Sequence, residues 1–418
     1  MKYLKLLALA ALPLLFIHCG GGGDDGDEPK PEDTFKVKVL LPIKVAKTEE
    51  KKIYVHLMPW FESKETSVDG KWGQHWTMAN RNPDVIEGGR RQIASHYYPL
   101  IGPYASSDKF VVEYQALLMK LAGIDGVVID WYGTTSARDY PQNAINTEAF
   151  IAQTAKTGLE FALVYEDQSV KHAFNDKKIT DKLAQGRADM AYLKSNHFSR
   201  SNYTFIDGKP LLMAFGPQEF QTEDAWSNVF SGLTTKPKFL TLWGESGEAG
   251  VNAGGEFAWI YQNESSSHTS FLDNFYNNEY EGLKMGSAYP GFKDYYQQGG
   301  WDNGYFLINH NGTGTLEATL NKALAAEVSH IQLATWNDYG EGTMIEPTVE
   351  FGYSLLTLLQ SKLGSATSQE HLEMVAKLYA LRVRFKDDKA KQKRLDQVFY
   401  YLVALQFADA KTLLDEVD

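Results

Sequence analysis

The stretch Trp336-Asn337-Asp338-Tyr339-Gly340-Glu341-Gly342 holds two carboxyl side chains three residues apart, directly after the short apolar run His330-Ile331-Gln332-Leu333. That run reads as a buried strand, so the acids fall where the strand ends. Two carboxyls at one strand end, interleaved with aromatic rings, suit hydrolysis of a glycosidic bond. One group protonates the leaving oxygen and the other stabilises or creates the nucleophile. Asp338 and Glu341 are therefore the candidate catalytic pair. Asp-x-x-Glu is also the pattern of a helix capping box, with Asp338 at the N-cap and Glu341 at the third helical position. That alternative needs an apolar-periodic helix at once. Gly342, Thr343 and Pro347 follow instead, which favours an irregular loop.

Such a pair needs a scaffold. Apolar runs at 53–58, 126–131, 159–166, 210–215, 238–243, 256–261, 282–287 and 329–336 read as strands. Amphipathic stretches at 110–121, 147–157, 180–195, 270–281 and 316–326 read as helices between them. This alternation, over roughly 300 residues, is the rhythm of an α/β fold of the (β/α)8 TIM-barrel type, whose chemistry sits at the C-terminal strand ends. Asp130 ends the second run, Glu166 the third, and Asp338 and Glu341 follow the eighth. A doubly wound open sheet is the alternative, but no Gly-x-Gly-x-x-Gly or Gly-Lys-Ser/Thr loop follows any run. Stretches 372–385 and 395–417 read as charged amphipathic helices, and no Pro/Gly-rich linker separates them from the barrel. No His/Asp/Glu grouping has metal-ligand spacing and no Gly-x-Ser-x-Gly elbow is present, so no metal or cofactor is expected.

The chain has 418 residues, 43% hydrophobic and 22% charged, which allows a large core in a soluble globular body. A formal charge of -12 without a basic stripe argues against nucleic acid as a partner. The 9 Trp, 23 Tyr and 22 Phe offer flat rings, for sugar faces or for the core. Lys2 and Lys5 precede an apolar run at 6–17, too short to span a bilayer but suited to a signal peptide. Cys19, the sole cysteine, follows directly and excludes an internal disulfide. Its placement resembles a bacterial lipoprotein acylation site, with His18 where a small residue is usual. Residues 20–34 are rich in Gly and Asp with two prolines, a flexible acidic tether of the kind that follows the acylated cysteine in outer-membrane lipoproteins. The expected organisation is a signal peptide and lipobox over 1–19, a tether over 20–50, a catalytic barrel over 51–365, and C-terminal helices packed on it over 366–418. The expected state is a monomer at the outer membrane, on the cell surface or the periplasmic face, touching the membrane only through lipid on Cys19.

Residues 336–347 resemble the signature of glycoside hydrolase family 99, Asn-Glu-Trp-His-Glu-Gly-Thr-x-Ile-Glu-Pro, found in endo-α-mannosidases and endo-α-1,2-mannanases. Upstream, His96-Tyr97-Tyr98-Pro99-Leu100-Ile101-Gly102-Pro103-Tyr104-Ala105-Ser106-Ser107 is similar to that family's Tyr-Pro-x-x-Gly-Pro-Tyr-Ser-Ser segment. Trp72-Gly73-Gln74-His75-Trp76 is similar to its Trp-x-x-x-Trp substrate loop, and Tyr289-Pro290-Gly291-Phe292 to its Pro-Gly-Tyr turn. Val128-Ile129-Asp130-Trp131-Tyr132-Gly133 stands where the family has a strand ending in tandem aromatics. The resemblance runs in order over residues 52–355 and is specific for the family 71/99-like group. One departure bears on mechanism. Asp338 replaces a glutamate of family 99, while the related family 71, the α-1,3-glucanases, has Trp-Asn-Asp-Tyr-Gly-Glu, identical to residues 336–341.

The family 99 resemblance implies cleavage of internal α-mannosidic bonds, in mannan or mannose-rich glycans. Asp338 would act as base towards O2, which attacks C1 through a 1,2-anhydro sugar, and Glu341 as acid and then base. In an α-glucoside O2 lies cis to the leaving group, so Asp338 would activate water and invert the anomeric centre. Aspartate is one methylene shorter than glutamate, roughly 1.5 Å, which leaves more room for water. A catalytically silent glycan-binding protein is a further alternative. Candidate substrate-binding residues are Trp60, Trp72, His75, Trp76, Tyr104, Asp130, Trp131, Glu166, Tyr261 and Asn337, each with a purely structural role as its alternative.

Overall fold

Eight apolar runs become eight parallel strands: β1 (Lys52–Leu57), β2 (Gly126–Trp131), β3 (Glu160–Tyr165), β4 (Lys209–Ala214), β5 (Lys238–Leu242), β6 (Gly255–Phe257), β7 (Leu283–Ala288) and β8 (His330–Leu333). Each pairs in parallel with its successor, and β8 pairs with β1 in the register Lys52–His330 to Val55–Leu333, so the sheet closes on itself. The structure is a computed structural model that describes residues 34–418. The expected signal peptide, Cys19 and the expected tether as far as residue 33 lie outside the described residues.

The strands carry Val, Ile, Leu and Phe on both faces because one face lines the barrel and the other meets helices. β2 is buried at every position. The helices that cover the sheet are α1 (Lys109–Leu121), α2 (Tyr140–Thr157), α3 (Lys182–Asn196), α4 (Glu223–Val229), α5 (His268–Asn277) and α6 (Gly314–Ala325). Local sequence sets several of their ends. The Asp108 carboxylate accepts from the Phe110 N–H at 2.8 Å and starts α1. Pro141 lies in the first turn of α2, and Gly158 ends it at φ 79°. The α2 helix is longer than the expected 147–157 stretch, because Tyr140 to Asn146 packs on the barrel mouth rather than forming loop.

Two expectations about the chain ends need correction. The 395–417 stretch is two helices, α9 (Lys389–Val403) and α10 (Phe407–Val417), broken where Leu405 takes a positive φ of 57°. No Gly or Pro marks that break, so periodicity alone read through it. They follow α7 (Ser354–Leu363) and α8 (Gln369–Arg384). The second correction concerns the tether boundary. Residues 36–50 run along the body: Lys38 N–H donates to Gln397 Oε1 at 2.6 Å and Ile43 N–H to the Val403 carbonyl at 2.9 Å. Arg382 of α8 joins Glu113 of α1 at 2.9 Å and Asp396 of α9 at 2.6 Å, and so ties the C-terminal helices to the barrel.

Candidate active site

The chain leaves β8 at Leu333 and folds residues 335–346 into a closed loop over the C-terminal mouth of the barrel. Trp336 N–H donates to the His56 carbonyl at 2.7 Å, Thr335 N–H to the Thr343 carbonyl at 3.0 Å, and Glu346 N–H to the Trp336 carbonyl at 2.9 Å. Asn337 is buried and grips the end of β1 through both amide atoms, bonding the Met58 N–H and carbonyl at 2.9 and 3.0 Å. Glu346 sits beneath the loop and accepts from Tyr104 (2.8 Å), Tyr339 (2.9 Å) and Gln115 (2.8 Å). Burial pushes its carboxyl up to about 7, against the pull of those donors.

Asp338 and Glu341 stand at the tip of this loop. Asp338 N–H donates to Thr335 Oγ1 at 2.8 Å, and Asp338 Oδ1 accepts from the Glu341 N–H at 2.9 Å. The capping-box hydrogen bond therefore forms, but no helix follows it; residues 338–342 are a turn. Gly342 makes the turn possible. It lies at φ 68°, and a Cβ there would stand 2.7 Å from the Lys293 carbonyl oxygen. The loop after β7 is clipped to the same turn, with Lys293 N–H donating to the Glu341 carbonyl and Tyr295 N–H to the Gly340 carbonyl, both at 2.8 Å. Tyr296, next in that loop, donates its hydroxyl to Glu341 Oε1 at 3.1 Å.

The electrostatics separate the two acids. Burial raises Asp338, its backbone N–H donors pull it down and the Asp130 charge raises it again, leaving it at about 6. Glu341 is pushed well above the usual carboxylate range, by burial first and then by the charge of Asp338. The charge of Asp338 thus helps hold the proton on Glu341, the division of roles that a base and an acid require. Beneath them Asp130 accepts from Tyr132 at 2.6 Å, and its Oδ1 lies 4.0 Å from His56 Nε2 without a hydrogen-bond partner. Burial, and then the Asp130 charge, drive Glu166 far up. Glu166 and Asp130 are therefore neighbouring buried acids, and Glu166 accepts from the Gln168 amide at 2.9 Å.

The aromatic candidates divide. Trp76 is fully buried among Phe61, Tyr104 and Tyr339, with its N–H donated to the Tyr104 carbonyl at 2.7 Å. Trp131 is 2% exposed and lies against Tyr165 and Tyr192. Tyr104 and Asn337 are likewise buried. Trp76, Tyr104 and Asn337 spend their polar atoms on the core, and Trp131 its ring on Tyr165 and Tyr192, so these four expected substrate contacts are buried structural residues here. Trp60 and Trp72 line a groove of about 760 Å³ with Gln74, Arg138 and Asp139. Trp60 stacks on His75 at 4.2 Å and 4°. Trp72 donates its N–H to Asp84 at 3.1 Å and has Arg91 over its ring. Burial holds the His75 imidazole down at about 3, so it stays neutral. Tyr261 is 41% exposed and packs on Phe271 and, edge-on, on Phe306.

Sequence reading missed Tyr296 and His56. The His56 signal was present, a histidine at an alternate position of an otherwise apolar strand. It faces Gln332 at 3.4 Å, whose amide in turn donates to the Ala258 carbonyl at 2.7 Å. Tyr296 lay in no motif.

The model of glycosyl hydrolase family 99 matches this chain over residues 49–362. A glycoprotein endo-alpha-1,2-mannosidase-like protein of Danio rerio is 23% identical over 303 residues, 66% of this chain; the chain spans 65% of that relative's length. Two solved structures of the GH99 endo-alpha-mannosidase from Bacteroides thetaiotaomicron share the fold. One has a TM-score of 0.57 at 17% identity and covers 84% of this chain and 99% of its own. The other, in complex with bis-tris-propane, has a TM-score of 0.56 at 18% identity and covers 83% of this chain and 100% of its own.

Proposed function

Since this chain belongs to glycosyl hydrolase family 99, we propose that it hydrolyses internal α-mannosidic bonds in mannan or mannose-rich glycans. Asp338 draws the proton from O2 of the mannose ring, and O2 attacks C1 from behind. Glu341 gives its proton to the leaving oxygen, then takes one from the water that opens the 1,2-anhydro sugar at C1, while Asp338 returns its proton to O2. The α configuration is retained. The observation that carries this reading is the single hydrogen-bonded turn that holds both carboxyls at the end of β8, with the Tyr296 hydroxyl on Glu341; burial and the Asp338 charge, which raise Glu341, favour it as the acid. The names of the relatives supply the mannose part.

One observation favours a second reading. Asp338 Oδ1 is held by the Glu341 N–H, which keeps the short carboxylate back against its own turn. A retracted base leaves space for water and for inversion on an α-glucan. Digestion of α-mannan and α-1,3-glucan, followed by proton NMR of the first anomeric signal, decides between them. Retained α product from mannan supports O2 participation. Inverted β product from glucan refutes it, and binding without cleavage of either makes the protein a glycan receptor.

We further propose that the barrel is a monomer held at the outer membrane through lipid on Cys19. Replacing Cys19 with alanine is expected to move the protein from the membrane fraction to the soluble one. Retention of the variant in membranes refutes the anchor.

A further inference from the structure

The loop after β7 carries two large rings that the active-site chemistry above does not use. Trp301 is 42% and Tyr305 66% exposed, yet both are fixed from the backbone. Trp301 N–H donates to the Tyr296 carbonyl at 2.9 Å. Asp294 accepts from the Tyr296 N–H at 3.1 Å and the Tyr305 N–H at 2.9 Å, so one carboxylate sets both residues. The Trp301 ring lies nearly parallel to Tyr296, centroids 6.2 Å apart at 17°, and meets the edge of His75 at 5.6 Å. Tyr305 meets Tyr296 edge-on at 5.9 Å. Tyr296, between them, holds Glu341. A single ring therefore separates the exposed pair from the candidate acid.

Resting on the reading above, we propose that Trp301 and Tyr305 form a sugar-binding subsite on the leaving-group side of Glu341. The ligand is one pyranose ring of the α-linked chain, beyond the bond being cleaved. The chemistry matches. A pyranose presents a patch of C–H groups on one face and hydroxyls at its rim, and rigid rings cover that patch at little cost in side-chain entropy. The side follows from the acid's task. Glu341 must reach the bridging oxygen, so the sugar past that oxygen comes to lie over the neighbours of Glu341, which are Tyr296, Trp301 and Tyr305. The His75 edge joins this platform to the groove floored by Trp60 and Trp72.

The test compares two substrates of one linkage: a mannotetraose, and a mannobiosyl α-fluoride in which fluoride replaces every leaving-side sugar. Trp301→Ala is expected to lower kcat/KM on the tetraose roughly tenfold, mostly through KM, and to leave the fluoride within about twofold. Tyr305→Ala, at the more exposed ring, is expected to act in the same direction and guards against a variant that fails to fold. Equal losses on both substrates indicate a merely structural role and overturn the subsite. A wild type that cleaves the tetraose and a Trp301→Ala variant that matches it overturn the subsite alone. A wild type that turns over neither substrate overturns the mannosidase reading, and the subsite with it.

Discussion

Replacing Tyr296 with phenylalanine removes one oxygen from the site and little else. The ring stays between Trp301 and Tyr305, while Glu341 loses the hydroxyl that donates to it at 3.1 Å. A hydrogen bond to a charged group contributes about 1.5–3 kcal/mol. At 3.1 Å the bond is long for O–H···O, so the lower end, about 1.5 kcal/mol, applies. One pKa unit corresponds to about 1.4 kcal/mol, so the loss amounts to about one unit. The donor stabilises the ionised form, so removing it raises the pKa of Glu341, which burial and Asp338 already hold high. An acid must be protonated to act, and its activity falls as pH rises through its pKa. The alkaline limb of the kcat/KM profile on a mannan oligosaccharide is therefore expected about one unit higher in Tyr296→Phe than in wild type. The acid limb belongs to Asp338 and stays in place. An unmoved alkaline limb, or one displaced to lower pH, refutes the assignment of Glu341 as the acid held by Tyr296.

Asp338 must be ionised to take a proton, so wild-type kcat/KM is expected to fall below pH of about 6; full activity well below that value excludes Asp338 as the base. Glu341→Gln is expected to reduce turnover of a poor leaving group by roughly 10³-fold without loss of thermal stability, because the amide keeps the size of the buried, proton-holding carboxyl and brings no charge beside Asp338. Wild-type rates in that variant would sink the hydrolase mechanism. Gly342→Ala places a Cβ 2.7 Å from the Lys293 carbonyl at φ 68°; urea denaturation is expected to show a loss of about 1–3 kcal/mol, together with lower activity. Arg382→Ala strands Glu113, whose carboxyl burial already pushes up. The expected cost is about 3–5 kcal/mol, and the double variant Glu113→Leu with Arg382→Met is expected to recover most of it. No recovery means that packing rather than charge pairing holds the C-terminal helices.

Much of this molecule is written in short-range pattern. Eight apolar runs at regular spacing dictate a closed parallel barrel, because each run needs two buried faces and helices supply the outer one. The Asp338–Glu341 pair was legible because its chemistry lies within three residues at a strand end, and Gly342 marked the turn that holds it. The break at Leu405 was not legible, since nothing in its type announces a positive φ. Nor was the fate of the tryptophans. Trp60 and Trp76 are the same residue type in the same stretch, yet one lines a groove and the other is sealed by Phe61, Tyr104 and Tyr339. Whether a ring meets solvent depends on which distant elements fold over it. The same holds for the acid's environment. Tyr296 reaches Glu341 across 45 residues, and Asp130 acts on Asp338 from another strand. Local sequence determined which groups can carry protons; closure of the barrel decided how tightly each holds one, because burial and neighbouring charge exist only once β2, β3 and β8 share one mouth.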